Sequence, residues 1–389
     1  MRRALEIDGR LDLPATTAWL ERGLAEGLQL GGQIFVSRGG VAVADAAFGE
    51  ARPGEPMTRR HRMLWLSSTK PLAAVAIASL WEAGRLGLDD PVARHIPEFA
   101  AGGKEGVTVR HLLTHTSGIR MVDTGWPGAD WDAILARICA RRLEPGWIPG
   151  AKAGYHLASS WFVLGELVRR LDGRPFERWV REELLEPLGA SGCWVGVPAS
   201  RLAAERPRIA PMYEATADAA GARQLTELPW LDERNLTVCS PGASGLGPLR
   251  ELARFYEMLL AGGTCAGRRF LTPQTVAAIT ARHRVGLLDH TFKTRLDWGL
   301  GVIVNSAHYG DPKAPYGYGP HAGARTFGHS GARSSTAFAD PDAALVVALA
   351  VNGLPDDETH RQRFERLTAA IYEDLGLAPP AAAPAAATD

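Results

Sequence analysis

A hydroxyl and an amine stand three residues apart at Ser67 and Lys70, in the stretch Leu66-Ser67-Ser68-Thr69-Lys70-Pro71. On a helix that spacing puts both side chains on one face, one turn apart. Such a pair could carry nucleophilic catalysis, with the serine oxygen attacking a carbonyl and a lysine of lowered pKa taking its proton. Pro71 is tolerated only near a helix start, so Ser67 falls at the N-terminal end, where free backbone N–H groups and the helix dipole favour an oxyanion. A plain N-cap serine followed by a first-turn lysine would give the same letters, although a lysine there opposes the dipole. Partners downstream decide between the two readings.

The elements that must hold this pair follow from periodicity. Leu72 to Trp81 is apolar almost all round, which predicts a helix buried on most sides. Residues 15–27 have a helical pattern, and Gln33 to Arg38 and Val41 to Phe48 read as a hairpin around Gly39-Gly40. Arg59 to Arg62 reads as a solvated basic loop. From residue 67 to about 240 the pattern is helices and long loops, at Trp131 to Cys139, Ser160 to Leu171 and Phe176 to Leu185, with few strand-like runs. Strands return at Trp298 to Asn305, Ser334 to Ala339 and Ala344 to Asn352. A last helix, capped by Asp356 or Asp357, carries Phe364, Leu367, Ile371 and Leu375 at helical spacing. Strands at both ends and helices between them predict an α+β chain: a sheet domain built from residues 1–66 and 245–377, and a helical domain over 67–244. A cleft between two such domains is the expected place for a site. Residues 378–389 are Pro/Ala low-complexity and are expected to form a disordered tail.

The chain has 389 residues, with 43 Lys and Arg against 43 Asp and Glu. That length allows two domains and a large core. The charge balance argues against nucleic acid or an anionic membrane as partner, since either leaves a basic excess. Cys139, Cys193, Cys239 and Cys265 form no C-x-x-C pair and read as reduced, mostly buried thiols of a cytoplasmic chain. Met1 to Pro14 lacks the apolar core of a signal peptide, and no run of about 18 apolar residues follows, so neither export nor a membrane span is expected.

Two later stretches offer partners for Ser67 and Lys70. Tyr155 ends Pro149-Gly150-Ala151-Lys152-Ala153-Gly154-Tyr155, just ahead of a helical run. A phenol at such a junction can point into a cleft, where a nearby ammonium would lower its pKa from about 10. Gly328-His329-Ser330-Gly331-Ala332 precedes the strand from Ser334. Its glycines let backbone come close to a ligand, so the Ala332 N–H could face the serine.

In this order, a Ser-x-x-Lys at the head of a buried helix, a Pro-Gly-x4-Tyr and a His-x-Gly ahead of a late strand resemble the serine β-lactamase-like superfamily. That group comprises class C β-lactamases, D-Ala-D-Ala carboxypeptidases, family VIII carboxylesterases and lovastatin-type acyltransferases. His111-Leu112-Leu113-Thr114-His115-Thr116-Ser117-Gly118-Ile119 looks like its post-nucleophile signature, and Ser244-Gly245-Leu246 resembles its later glycine-rich turn. The resemblance spans about residues 10 to 375. It implies a β-lactamase/transpeptidase-like fold, an antiparallel sheet flanked by helices with an inserted, mostly helical domain. It further implies Ser67 as nucleophile, Lys70 and Tyr155 sharing the base work, and an oxyanion hole made by the N–H groups of Ser67 and Ala332. The reaction it implies is two-step acyl transfer through acyl-Ser67, with neither cofactor nor metal.

Departures from the family pattern point to one branch. β-Lactamases and peptidases of the group carry Lys-Thr-Gly where this chain has His329-Ser330-Gly331, and Tyr-x-Asn where it has Tyr155-His156-Leu157. A histidine with an ordinary pKa near ~6.5 is mostly neutral at pH 7 and cannot replace the lysine's fixed charge. Leu157 puts an apolar group where an amide would bond a β-lactam. Both changes imply an uncharged, apolar acyl substrate, with His329, Ser330, Gly331 and Leu157 as substrate-binding residues. Of Trp65, Trp126, Trp131, Trp147, Trp161 and Trp230, most are expected in the core; Trp126 and Trp230 are the candidates for an acyl pocket.

No G-x-S-x-G elbow and no G-x4-G-K-[ST] loop occur. His111 and His115 have zinc-ligand spacing, but Leu112 stands where a metalloprotease would place its glutamate. The expected function is a cytoplasmic serine esterase or acyltransferase. Its partners are a small-molecule ester or amide substrate and a water, alcohol or amine acceptor, with no nucleic acid and no membrane. A β-lactamase or D-Ala-D-Ala carboxypeptidase is the first alternative, and a non-catalytic binding protein on the same scaffold the second.

Overall fold

Gly39 and Gly40, both in the left-handed region at φ 57° and 78°, reverse the chain between two strands, Gly31–Arg38 and Val41–Arg52. These are β2 and β3 of an antiparallel sheet that begins with β1 (Ile7–Leu11) and continues late in the chain. The late strands are β4 (Asp297–Trp298), β5 (Ile303–Val304), β6 (Phe327–Gly331), β7 (Ser335–Asp340) and β8 (Leu345–Val351), in the order β1-β3-β2-β8-β7-β6-β5-β4. The computed structural model describes residues 6–311, 314 and 317–378. Most of the stretch expected to be a tail, residues 379–389, lies outside the described residues.

Period-two alternation gives the sheet two different faces. Phe35, Ala337, Ala339, Val346, Ala348 and Ala350 point to one side, while Ile34, Val36, Phe338, Val347, Leu349 and Val351 point to the other. The alanines on the first side leave room for helices to come close. There α2 (Lys70–Glu82), α3 (Ser159–Asp172) and α4 (Leu249–Leu260) join one large core. On the second side α1 (Pro14–Ala25) and α5 (Asp357–Asp374) insert Leu20, Phe364, Leu367, Ile371 and Tyr372. The α5 cap is Asp356, whose carboxylate accepts from Thr359 N at 2.9 Å.

Three stretches depart from the expected pattern. The run Trp298 to Asn305 is not one strand but the hairpin β4–β5, because Gly299-Leu300-Gly301 breaks it and Gly301 sits at φ 75°. The segment His329-Ser330-Gly331 precedes the strand β7 as expected but is also itself in a strand, β6, which pairs with β5 through Phe327 and Gly328 and with β7 along its length. Within the middle segment a hairpin, Tyr213–Ala217 with Arg223–Glu227, pairs in parallel with Gly353–Leu354. Its outer residues are polar and exposed, so it lacks the apolar run that marks a core strand.

Candidate active site

A one-turn 3₁₀ helix, Leu66–Thr69, leads into α2 and puts Ser67 at its head. Leu66 is held at φ 50°, an uncommon conformation for a branched residue that persists only where neighbours fix it. Those neighbours are specific. Trp65 N donates to Gly245 O at 2.9 Å, Gly245 N donates to Thr69 Oγ1 at 2.9 Å, and Ser335 Oγ donates to Trp65 O at 2.9 Å. Ser68 Oγ donates to His329 O at 3.1 Å, tying the turn to β6. A Cβ on Gly331 would collide with Trp65 O and Ser335 Oγ, so glycine is required for β6 to lie this close. Ser244-Gly245-Leu246, expected as a turn, enters the short strand Gly245–Gly247 that buttresses the nucleophile turn.

Two side chains converge on Ser67. Lys70 Nζ lies 3.0 Å and the Tyr155 hydroxyl 2.9 Å from Ser67 Oγ. Lys70 also donates to Gly242 O at 2.9 Å, and its nitrogen lies 5.1 Å from the Tyr155 ring centroid. Lys70 is fully buried and has no carboxylate partner among the described residues, so burial holds its amine well below the usual lysine range. The expected drop in the lysine pKa therefore has a structural cause.

Tyr155 is held by a second shell of groups that its sequence neighbourhood does not reveal. Its N–H donates to Asp289 Oδ1 at 3.1 Å, and its carbonyl accepts from Thr291 Oγ1 at 3.1 Å. Asp289 also accepts from Thr291 N at 2.8 Å, Phe292 N at 3.0 Å and Arg284 Nη2 at 2.8 Å, and the Arg284–Asp289 pair is wholly buried. The ring packs against His115 at 4.7 Å and Phe292 at 4.9 Å between centroids. His115 Nδ1 accepts from His156 N at 2.8 Å, and Ile119 N donates to His156 Nε2 at 3.2 Å. His156 is neutral, pushed by burial to about 3. No group of three or more metal-ligating side chains occurs among the described residues.

The remaining candidates are dispersed. His329 is buried on the Ser67 side of β6, its ring 6.1 Å from that of Tyr155, and burial aided by Lys70 pushes it to about 3. It carries no charge at neutral pH. Ser330 turns to the opposite face of the strand, where its hydroxyl donates to Thr336 Oγ1 at 3.0 Å and lines a cavity of about 250 Å³ with Asn305, Tyr318 and Phe364. Ala332 is exposed in the turn after β6, and neither its amide nor that of Ser67 donates a hydrogen bond within the described residues. Leu157 is 69% exposed, and Met121, Ile148 and Leu288 are exposed on the segments bonded around Tyr155. Trp230 and Leu66 each pack against the small cluster that contains Leu64, Trp194 and Leu246, whereas Trp126 packs against another cluster and donates to Val238 O at 2.9 Å. Trp65 and Trp161 are core.

Missed from the sequence were Asp289, Arg284, Thr291, Ser68 and Ser335. Only Asp289-His290-Thr291, an acidic residue that could cap a tight loop, carried a local signal.

The chain is similar to known proteins over most of its length. A family model described as beta-lactamase matches residues 17–370. The chain is 28% identical over 353 residues to the esterase/beta-lactamase LipL of Mycobacterium tuberculosis, covering 83% of this chain and 77% of that one. Among solved structures it is similar to a penicillin-binding protein homologue from Caulobacter crescentus, with TM-score 0.78 and 32% identity over 95% of this chain and all of that one. It is also similar to a family VIII carboxylesterase, with TM-score 0.77 and 29% identity over 95% of this chain and all of that one. No helix among the described residues is long and apolar enough to cross a membrane. The chain belongs to the beta-lactamase family of serine hydrolases.

Proposed function

We propose that the protein is a serine esterase that forms an acyl-Ser67 intermediate from an uncharged ester and passes the acyl group to water or a small alcohol or amine. The observation that carries this reading is the convergence of Lys70 Nζ and the Tyr155 hydroxyl on Ser67 Oγ, at 3.0 and 2.9 Å. A neutral Lys70 takes the Ser67 proton as Oγ attacks the carbonyl carbon. Negative charge then gathers on the carbonyl oxygen, and in this reading the backbone amides of Ser67 and Ala332 receive it. Collapse breaks the bond to the alkoxide, which leaves with a proton returned through Tyr155 or Lys70. An acceptor hydroxyl, deprotonated by the same groups, attacks acyl-Ser67 and restores the enzyme.

The substrate class rests on charge. Burial holds the Lys70 amine well below the usual lysine range and pushes His329 to about 3, so in this reading neither supplies the fixed cation that Lys-Thr-Gly enzymes offer a carboxylate. Exposed Leu157, two residues after Tyr155, adds apolar surface for an acyl or alkyl chain. A second reading, β-lactam hydrolysis, is favoured by the likeness to a penicillin-binding protein homologue. Turnover of short-chain p-nitrophenyl esters and of a chromogenic cephalosporin, by the parent protein and by Ser67→Ala, tests both. Ester turnover lost in Ser67→Ala, with an acyl adduct on the parent protein, is the expected result. Equal activity in Ser67→Ala would refute the site, and faster turnover of the cephalosporin than of every ester would refute the substrate class.

A further inference from the structure

Arg363 of α5 is a cation in an unusual position. It is 6% exposed and has no ion-pair partner among the described residues. Its guanidinium donates to four oxygen atoms, Gln29 Oε1 at 2.7 Å, Arg333 O at 3.0 Å, Gly353 O at 3.2 Å and Leu28 O at 3.3 Å, and lies 3.3 Å from His360 Nδ1. Its Nε–H is buried with no hydrogen-bond partner. Burying a cation without a carboxylate is costly, and a methionine of similar length would fill the same space. Fixing α5 to the sheet does not by itself call for a charge.

One of the four oxygens belongs to the turn after β6. Arg333 follows Ala332 and sits at φ 51°, a left-handed conformation that a residue other than glycine keeps only where its surroundings fix it. Both ends of Arg333 are fixed. Its carbonyl is gripped by Arg363, and its own guanidinium donates to Glu214 Oε1 at 2.9 Å and to Pro355 O at 3.0 Å. Glu214 lies on the hairpin Tyr213–Ala217/Arg223–Glu227, so the turn is clamped from α5 on one side and from the middle segment on the other. The N-terminal end of the turn is fixed separately, by Gly331 against Trp65 O.

We infer that Arg363 and Arg333 are positioning residues that clamp the Gly331–Ser334 turn and thereby aim the Ala332 N–H at the carbonyl oxygen of the substrate. The inference rests on the esterase reading for its catalytic meaning but makes a claim about the turn that stands apart from turnover. Neither arginine touches substrate; both act through the backbone of one turn. Glycine at 333 would remove the conformational strain while releasing the Glu214 tether, and methionine at 363 would fill the cavity while releasing the carbonyl.

The test uses Arg333→Gly, Arg363→Met and Arg363→Lys in the full chain, with amide exchange of the peptide spanning residues 330–336, thermal unfolding, kcat and KM for a soluble ester, and affinity for an alkyl boronic acid that forms a tetrahedral adduct on serine. The expected results are faster exchange in that peptide and about a tenfold loss of kcat with KM within about twofold. Boronate affinity should fall by the same factor, with partial recovery in Arg363→Lys. Because Arg333→Gly leaves the core untouched, its unfolding temperature should match the parent's, which separates positioning from folding. Unchanged exchange in Arg333→Gly and Arg363→Met overturns the clamp. Faster exchange with kcat and boronate affinity unchanged overturns its link to the oxyanion. Failure of the parent protein to show Ser67-dependent turnover overturns the esterase reading, while the exchange result still decides whether the clamp exists.

Discussion

Removing the charge of Asp289 tests the second shell of the site most directly. Its carboxylate is wholly buried and receives four hydrogen bonds, three from backbone N–H groups, including that of Tyr155, and one from Arg284. Asp289→Asn keeps the shape but leaves the Arg284 guanidinium with two carbonyls, Leu296 O at 3.1 Å and Thr114 O at 3.3 Å, and no directly bonded carboxylate. Removing one partner of a buried ion pair costs about 3–5 kcal/mol. The reverse deletion, Arg284→Met, leaves the carboxylate with its three N–H donors and should cost about 1–3 kcal/mol. The asymmetry is the prediction: urea unfolding should rank Asp289→Asn well below Arg284→Met, with the double variant recovering part of the loss. Under conditions where each variant is folded, Asp289→Asn should also lower kcat about tenfold with little change in KM, because the Tyr155 backbone is released while the pocket is intact. A cost below about 1 kcal/mol for Asp289→Asn, or a larger cost for Arg284→Met, would refute the reasoning.

Two further outcomes concern protons. Lys70 acts as a base only when neutral, and burial holds its pKa well below the usual lysine range; kcat/KM should therefore rise with pH through the lowered lysine pKa and then level off. Lys70→Met should cost about 10²- to 10⁴-fold, and Lys70→Arg should not restore activity, because a guanidinium keeps its proton. His156 and His329 are held by burial at about 3, below the unfolded value. Below pH ~6.5 the unfolded chain binds protons that the folded chain refuses, so each histidine should erode stability by about 1.4 kcal/mol per pH unit as pH falls. Urea midpoints between pH 7 and pH 5 check this, and a flatter profile in a His329→Gln variant is the expected sign of its share.

The parts of the site that could be read from the sequence are those whose partners are close along the chain. Ser67 and Lys70 declare themselves because one helical turn brings them together, and the Gly39-Gly40 hairpin because two glycines mark it. Tyr155 became visible only through the order of motifs along the chain. Strand β6 was not legible, since Gly328-His329-Ser330-Gly331 has little intrinsic preference for a strand and is one because β5 and β7 flank it. Asp289 sits 134 residues from the backbone it holds, and Arg363 sits 30 from its carbonyl; no periodicity carries such pairings.

The same division explains where strain collects. Six residues other than glycine have positive φ among the described residues, and Ala266 and Ala344 simply close tight turns. The other four flank the site. Leu66 precedes Ser67, Arg333 follows Ala332, His115 packs on the Tyr155 ring, and Lys293 closes the loop that carries Asp289, donating its N–H to Asp289 O at 2.7 Å. A turn meant only to connect strands is served by glycine, as at Gly39 and Gly40, or by a small alanine, as at Ala266 and Ala344. A leucine, a histidine, a lysine and an arginine are kept in place by contacts from distant segments, which over-determine the backbone at the points where an N–H or a side chain must be aimed. Local sequence rules therefore fail here for a physical reason: the geometry of this site is imposed across the fold, by Trp65 against Gly331, Asp289 against Tyr155 and Arg363 against Arg333.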